Sequence, residues 1–226
     1  LKTSEADHTS GMNNSISVSY ASEVGRFTIG SSFYKSFIDE RKARMNDSSL
    51  SLSLKSRELT KGVNTATKLS LKIPTSESSK DYATLRTAVT ATQVLAMSDE
   101  VLNIEDLSLT LIASGTKNLH KYKTSLRGSS NTSYSMATIA SLSYSATESL
   151  YLNLTGTYVK GWTYENNTRD LYSFSQSVGY SFNSTYGLEL GHEFGGTPLS
   201  ADGKNLEIQF FDERDSSIYA SLSISI

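Results

Sequence analysis

The chain alternates. From Ser133 to Phe194, four consecutive segments place polar and apolar residues in turn, joined by short polar turns. One parity of the first segment reads Tyr134, Met136, Thr138, Ala140, Leu142 and Tyr144, while the other is mostly small and hydroxylated: Ser133, Ser135, Ala137, Ile139, Ser141, Ser143. A period of two predicts a strand, whose successive side chains leave opposite faces. The next segment sets Leu150, Leu152, Leu154, Gly156 and Tyr158 against Tyr151, Asn153, Thr155 and Thr157. Tyr172, Phe174, Val178, Tyr180 and Phe182 then oppose Ser173, Ser175, Ser177, Gly179 and Ser181, and Tyr186, Leu188, Leu190 and Phe194 oppose Gly187, Glu189, Gly191 and Glu193.

The spacing of the aromatics along these strands bears on what surrounds them. Tyr134 and Tyr144 lie ten residues apart on one face, as do Tyr172 and Phe182. At ~3.3 Å per residue and a tilt of roughly 40°, that interval rises about 25 Å, the height of a transmembrane barrel's apolar band between its two aromatic girdles. Strands of soluble sandwiches typically run about 5–6 residues and seldom need a Tyr at each end. Length favours a sheet that crosses a membrane.

The same alternation runs through the rest of the chain. Residues 1–14 read as a flexible N-terminal tail and 15–226 as one barrel domain. Strands are predicted on Ile16, Val18 and Tyr20, on Phe27, Ile29 and Phe33, on Leu50, Leu52 and Leu54, and on Leu69, Leu71 and Ile73. Pro74 stops the last of these because proline cannot donate to a ladder. A fifth strand spans roughly 82–95, and 95–104 reads either as a helical turn or as two strand ends. Leu107, Leu109, Leu111 and Ala113 form a sixth strand, followed by a loop over 115–132. Beyond the four central strands come Leu206, Ile208 and Phe210, then Ile218, Ala220, Leu222, Ile224 and Ile226. The total is twelve, within a range of ten to fourteen.

Composition agrees with this picture. The chain has 226 residues, 37% hydrophobic, with a mean hydropathy of -0.32, and no run approaches the roughly 18–20 apolar residues of a transmembrane helix. A closed barrel satisfies its backbone between strands and needs apolar residues only at alternate positions, so a low mean hydropathy is what it shows. The absence of Cys removes disulfides, thiolate catalysis and zinc–thiolate sites. No secretory signal pattern stands at Leu1–Gly11, so an exported protein would have this sequence as its mature or trimmed form.

The final apolar alternation running to the last residue is similar to the C-terminal assembly signal of bacterial outer-membrane proteins. With the even strand count and aromatic rims, the chain resembles a small Gram-negative outer-membrane β-barrel of the porin-like type. That family usually ends in Phe or Trp, whereas this chain ends in Ile226. The resemblance implies an all-β, closed antiparallel transmembrane barrel in the bacterial outer membrane, with both ends in the periplasm. The first hairpin turn would then be extracellular, yet turns of that parity, at Glu23–Gly25, Ser145–Glu148 and Asn183–Thr185, are the shorter set.

Candidate chemistry follows from the faces. Lys55, Lys68, Lys72, Arg86 and Lys160, with Glu189, Glu193 and Glu207, are expected to line a lumen. Opposite charges there would either set up a transverse field or pair across a filled interior. Tyr134, Tyr144, Tyr158, Trp162, Tyr172, Tyr180, Phe182 and Phe194 are expected as rim anchors at the headgroup level. His192 falls on the apolar parity, where outer-membrane lipid hydrolases carry a His beside a Ser, but its neighbours two away are Leu190 and Phe194. No HExxH, EF-hand, GxGxxG, P-loop or GxSxG pattern occurs, so no metal or cofactor is expected. Basic clusters at 41–44 and 121–127 read either as contacts for lipopolysaccharide phosphates or lipid headgroups or as ordinary solvated loops, and a net charge of -2 speaks against nucleic acid.

The expected function is a non-enzymatic channel for small polar solutes or ions, or a structural envelope component, in contact with outer-membrane lipids and lipopolysaccharide. Its apolar outer wall leaves room for a homo-oligomer. Two alternatives come from other classes. One is a lipid-modifying enzyme built on His192, and the other is a soluble or lipid-anchored β-barrel binding protein whose Leu rows face a core.

Overall fold

The computed structural model describes residues 11–37, 43–183, 185–198 and 216–224. Within them lies one antiparallel sheet of thirteen strands. These are β1 (Gly11–Ala21), β2 (Gly25–Ser36), β3 (Ala43–Met45), β4 (Ser48–Leu54), β5 (Arg57–Thr60), β6 (Val63–Ile73) and β7 (Leu85–Met97). They continue with β8 (Leu107–His120), β9 (Thr132–Ser145), β10 (Leu150–Thr163), β11 (Thr168–Ser181), β12 (Tyr186–Gly196) and β13 (Ser216–Ile224). Eleven pair in the order β1-β2-β4-β6-β7-β8-β9-β10-β11-β12-β13, while β3 pairs only with β2 and β5 only with β6. Every strand expected within the described residues is present, and each pairs with its sequence neighbour along this path. The strand expected at 206–210 lies outside the described residues.

The structure differs from the expectation at several points, one being that β7 begins at Leu85 and not near 82, because Ser78–Tyr82 form a π-helical turn. β1 begins at Gly11, inside the expected tail, because its register against β2 starts at the pair Gly11–Ser36. β8 runs on through Gly115 to His120, which shortens the expected loop to 121–131. The ambiguous stretch after β7 is a single helical turn, Asp99–Leu102, closed by Asn103 in the left-handed region at φ 55°, a conformation that Asn tolerates better than most residues.

The direction of the two faces is plain in the exposures. Leu50, Leu152 and Leu222 are 43%, 39% and 65% exposed, whereas Ser51, Ser133 and Ser177 on the other parity are 7%, 4% and 9%. Among the described residues only Leu85, Ala88 and Phe194 are buried hydrophobics. A water-soluble fold does the reverse, burying its Leu and Val rows and exposing its hydroxyls. The Leu rows therefore do not face a core, which removes the soluble β-barrel reading. An apolar band this extensive marks a surface made for an apolar surrounding.

The chain folds as two compact units. The first comprises Leu1–Lys55, Lys68–Ala91 and Thr116–Ser133, and the second Ser56–Thr67, Thr92–Gly115 and Tyr134–Ile226. Strands reverse at each connection, so connections alternate between the two ends of the strands. The longer ones, including 37–47, 74–84 and 121–131, fall at one end, and the turns 22–24, 146–149 and 182–185 at the other. β1 starts at the long-connection end, opposite Ser36, and β13 finishes at the short-turn end, where Ile224 pairs with Tyr186.

Candidate functional site

The hydroxyl-bearing face is where chemistry can occur, and in each unit its makeup is fixed by register. In the first unit, Arg26 stands opposite Ser53, and Ser53 opposite Lys68; two rows further on that face, Gly30 faces Ser49 and Ser49 faces Lys72. Lys68 and Lys72 thus share the parity of buried Ser51, and Arg26 joins them. Arg26 went unnoticed in the sequence because it opens its strand, where alternation is shortest. Lys55 follows β4 in the same parity as Ser51 and Ser53, and Arg86 shares the parity of Ala88, which is 1% exposed. Partial neutralisation comes from one carboxylate: Asp47 lies 3.7 Å from the Lys72 ammonium.

In the second unit the same face is a hydroxyl network. Ser141 and Thr155 share a hydrogen bond of 2.9 Å, and Ser143 donates to Asn153 at 2.6 Å. Glu189 is a charge held there by two tyrosines. The Tyr151 hydroxyl donates to Glu189 Oε2 at 3.3 Å and the Tyr219 hydroxyl donates to Oε1 at 3.0 Å. Both rings reach across the sheet over a glycine: Tyr151 covers Gly179, its direct partner, and Tyr219 covers Gly191. A side chain at either glycine would fill the space the ring occupies. The pairing of Tyr with a facing Gly was present in the sequence, but only the register shows that they meet.

Glu193 shares this face opposite Ser175 and Ser217. Glu207 lies outside the described residues. Lys160 is corrected: it sits in continuous register between Tyr158 and Trp162 on the apolar parity, 4.0 Å from Asp170 on β11. It is therefore with the outer face, not with the hydroxyls. Its ammonium also stands 5.9 Å from the Trp162 ring centre, so a polar residue near the strand end serves the rim.

The rim aromatics divide into two groups. Tyr134, Tyr144, Tyr158, Tyr180 and Phe182 are exposed on the apolar face at 53%, 39%, 43%, 46% and 59%. Tyr158 faces Tyr172 directly across β10 and β11, and Tyr180 packs edge-on against Phe182 at 5.1 Å. Phe194 differs. It is only 4% exposed and packs against Phe174 at 5.4 Å, His192 at 5.8 Å and Tyr172 at 6.4 Å. It is the centre of an aromatic cluster, where the sequence suggested an exposed anchor. His192 faces Gln176 on β11 and Ile218 on β13, with 3.4 Å between its Nδ1 and Gln176 Nε2. The partner that the register gives it is an amide, which cannot serve as a nucleophile as a serine does.

No family model matches the chain, and no curated protein matches it in sequence. Solved structures do match. The chain superposes on the NanC porin with a TM-score of 0.58, covering 96% of this chain and 94% of that one at 10% identity. On the KdgM porin the TM-score is 0.53, with the same coverage of 96% and 94% and again 10% identity. The fold is that of an outer-membrane porin. OmpT, an outer membrane protein of Vibrio cholerae, gives 0.52 at 10% identity over 92% of this chain and 62% of that one. In a porin-like barrel the sheet closes on itself, so every backbone group is paired between strands and no edge is left open. The outward Leu rows and inward hydroxyls of this chain are the two faces that such a barrel requires.

Proposed function

We propose that the chain is a bacterial outer-membrane barrel that passes small polar solutes or ions and carries no catalytic centre of its own. The observation that carries this reading is the reversed polarity of the sheet, with Leu and aromatic side chains exposed, Ser51, Ser133 and Ser177 buried, and charged residues such as Lys68 and Glu189 on the parity of those serines. Such a face wets readily and offers hydrogen bonds to a passing solute. Lys55, Lys68, Lys72 and Arg86, with Arg26, supply basic lumen-lining groups from the first unit, and Glu189, Glu193 and Glu207 supply acidic ones from the second. Tyr134, Tyr144, Tyr158, Trp162, Tyr172, Tyr180 and Phe182 anchor the barrel at the headgroups of outer-membrane lipids and lipopolysaccharide. The longer connections face outward and the short turns face the periplasm, as outer-membrane barrels arrange them.

The test is electrical. Protein folded in detergent and added to a planar bilayer gives discrete conductance steps if this reading holds. A folded, heat-modifiable protein that inserts without conducting would leave a structural barrel and remove the channel.

A further inference from the structure

The two basic clusters seen in the sequence, 41–44 and 121–127, each send an arginine to one cavity. A space of about 990 Å³ in the first unit is lined by Arg44, Lys72 and Arg127, by Asp47 and Glu77, and by the side of Tyr82. Hydroxyl and amide groups of Ser32, Asn46, Thr75, Ser76 and Ser78 complete the wall. Its volume falls in the range of pockets that hold small molecules, roughly 300–1,000 Å³.

Three connections build it, and each is tied to the next. β3 lies along β2, with Arg44 opposite Tyr34, and Asn46 is fastened to Ser32 by a backbone bond of 2.8 Å and an amide contact of 3.0 Å. Asp47 then holds the second connection, accepting from Ser76 N at 3.1 Å, Ser76 Oγ at 2.7 Å and Ser79 Oγ at 2.6 Å. The third connection is sewn to the second by Leu126 N to Tyr82 O at 2.9 Å and by buried Asn131, whose amide donates to Ala83 O at 2.9 Å. A π-helical turn, Ser78–Tyr82, carries Tyr82 to the wall. Such turns cost regular helix geometry and recur at functional positions.

The charges within the cavity are unevenly spent. Asp47 is occupied by its three donors and by Lys72, and Glu77 accepts from the Tyr82 hydroxyl at 3.1 Å. The Arg127 guanidinium carbon lies 4.1 Å from the centre of the Tyr82 ring, a cation–π contact that leaves its five N–H groups as hydrogen-bond donors. Among the described residues no carboxylate lies within ion-pair distance of Arg44 or Arg127. Both guanidiniums line this one polar cavity, and each carries the planar fork of N–H donors that binds a phosphate group bidentately.

We infer that this cavity is a binding site for a phosphate group, with Arg44 and Arg127 as its principal ligands. The inference goes beyond the channel reading and does not need the chain to conduct. Lipopolysaccharide phosphates and a soluble phosphate share the required chemistry.

Calorimetric titration of inorganic phosphate into the full chain in detergent micelles tests the site. The expected result is saturable binding that weakens at least about tenfold in Arg44→Gln and in Arg127→Gln. Lys61→Gln, which removes one positive charge from a side chain 83% exposed beyond the cavity, leaves it unchanged. Heat-modifiable migration confirms that each variant is folded. Displacement of bound phosphate by lipopolysaccharide, but not by its dephosphorylated form, assigns the site to the headgroup; phosphate that lipopolysaccharide does not displace assigns it to a soluble solute. No saturable binding in the wild type, or equal losses in all three folded variants, overturns the proposal.

Discussion

The ring of Tyr151 lies over Gly179, its direct partner across β10 and β11, and carries its hydroxyl onward to Glu189 on β12. The glycine is what allows a tyrosine to span two inter-strand gaps on the sheltered face. A Cβ at residue 179 would collide with the ring, so Gly179→Ala forces Tyr151 off its path and loosens Glu189. The expected cost is about 1–3 kcal/mol, as for other overpacked sites. Tyr151→Phe keeps the ring and removes only a long, 3.3 Å hydrogen bond to a charged acceptor that Tyr219 also serves, so its cost should fall at the low end of the roughly 1.5–3 kcal/mol of such bonds. Urea titration of the folded barrel in lipid vesicles compares the two.

The row Arg26, Ser53, Lys68 concentrates positive charge on the hydroxyl-bearing face of the first unit. If solutes pass along that face, neutralising the row should lower the permeability of anions relative to cations. The double variant Arg26→Gln/Lys68→Gln is expected to shift the reversal potential in a KCl gradient toward cation preference, by an amount that shrinks as salt screens the charges. An unchanged reversal potential would take these two residues out of the conduction path.

Asp47 ties two connections together, and its protonation should untie them. Burial alone would raise its pKa, but the hydroxyls of Ser79 and Ser76, the Ser76 backbone N–H and the Lys72 charge together hold it below the ordinary 3.8. A carboxyl with a depressed folded pKa contributes stability above its unfolded pKa and loses it as pH falls through the folded value. Hydrogen exchange at the Ser76 amide, which donates to Asp47, should therefore be protected at neutral pH and lose that protection only below 3.8. Asp47→Asn should show reduced protection at every pH. Protection that holds unchanged well below 3.8 would mean that the carboxylate does not fasten this connection.

Much of the fold was legible because a half-exposed strand writes its faces directly into the sequence. Leu50, Leu52 and Leu54 against Ser49, Ser51 and Ser53 needed no tertiary information. The end of β8 was not legible: Gly115, Thr116 and Asn118 mix weak and strong strand formers, and extension there is held by partners, such as Thr90 to Thr116 at 2.8 Å and Asn118 Nδ2 to Thr132 O at 3.1 Å. Lys160 was misplaced because its charge suggested the polar face, although its parity already put it with Tyr158. The Glu189 network and the arginine cavity lay beyond sequence reading for a common reason. Tyr151, Glu189 and Tyr219 come from three strands, and Arg44, Tyr82 and Arg127 from three connections, so only the register and the folded connections bring them together.

The account rests on which face of the sheet meets lipid, and adjacent residues of one strand can report it. The chain has no Cys, so a single cysteine at Leu152 or at Asn153 carries a nitroxide label without interference. In lipid vesicles, oxygen partitions into the acyl region and a nickel chelate stays in water. The label at residue 152 is expected to relax mainly with oxygen, and the label at residue 153 is not. Oxygen dominance at 153 with chelate dominance at 152, or equal accessibility at both, would contradict it.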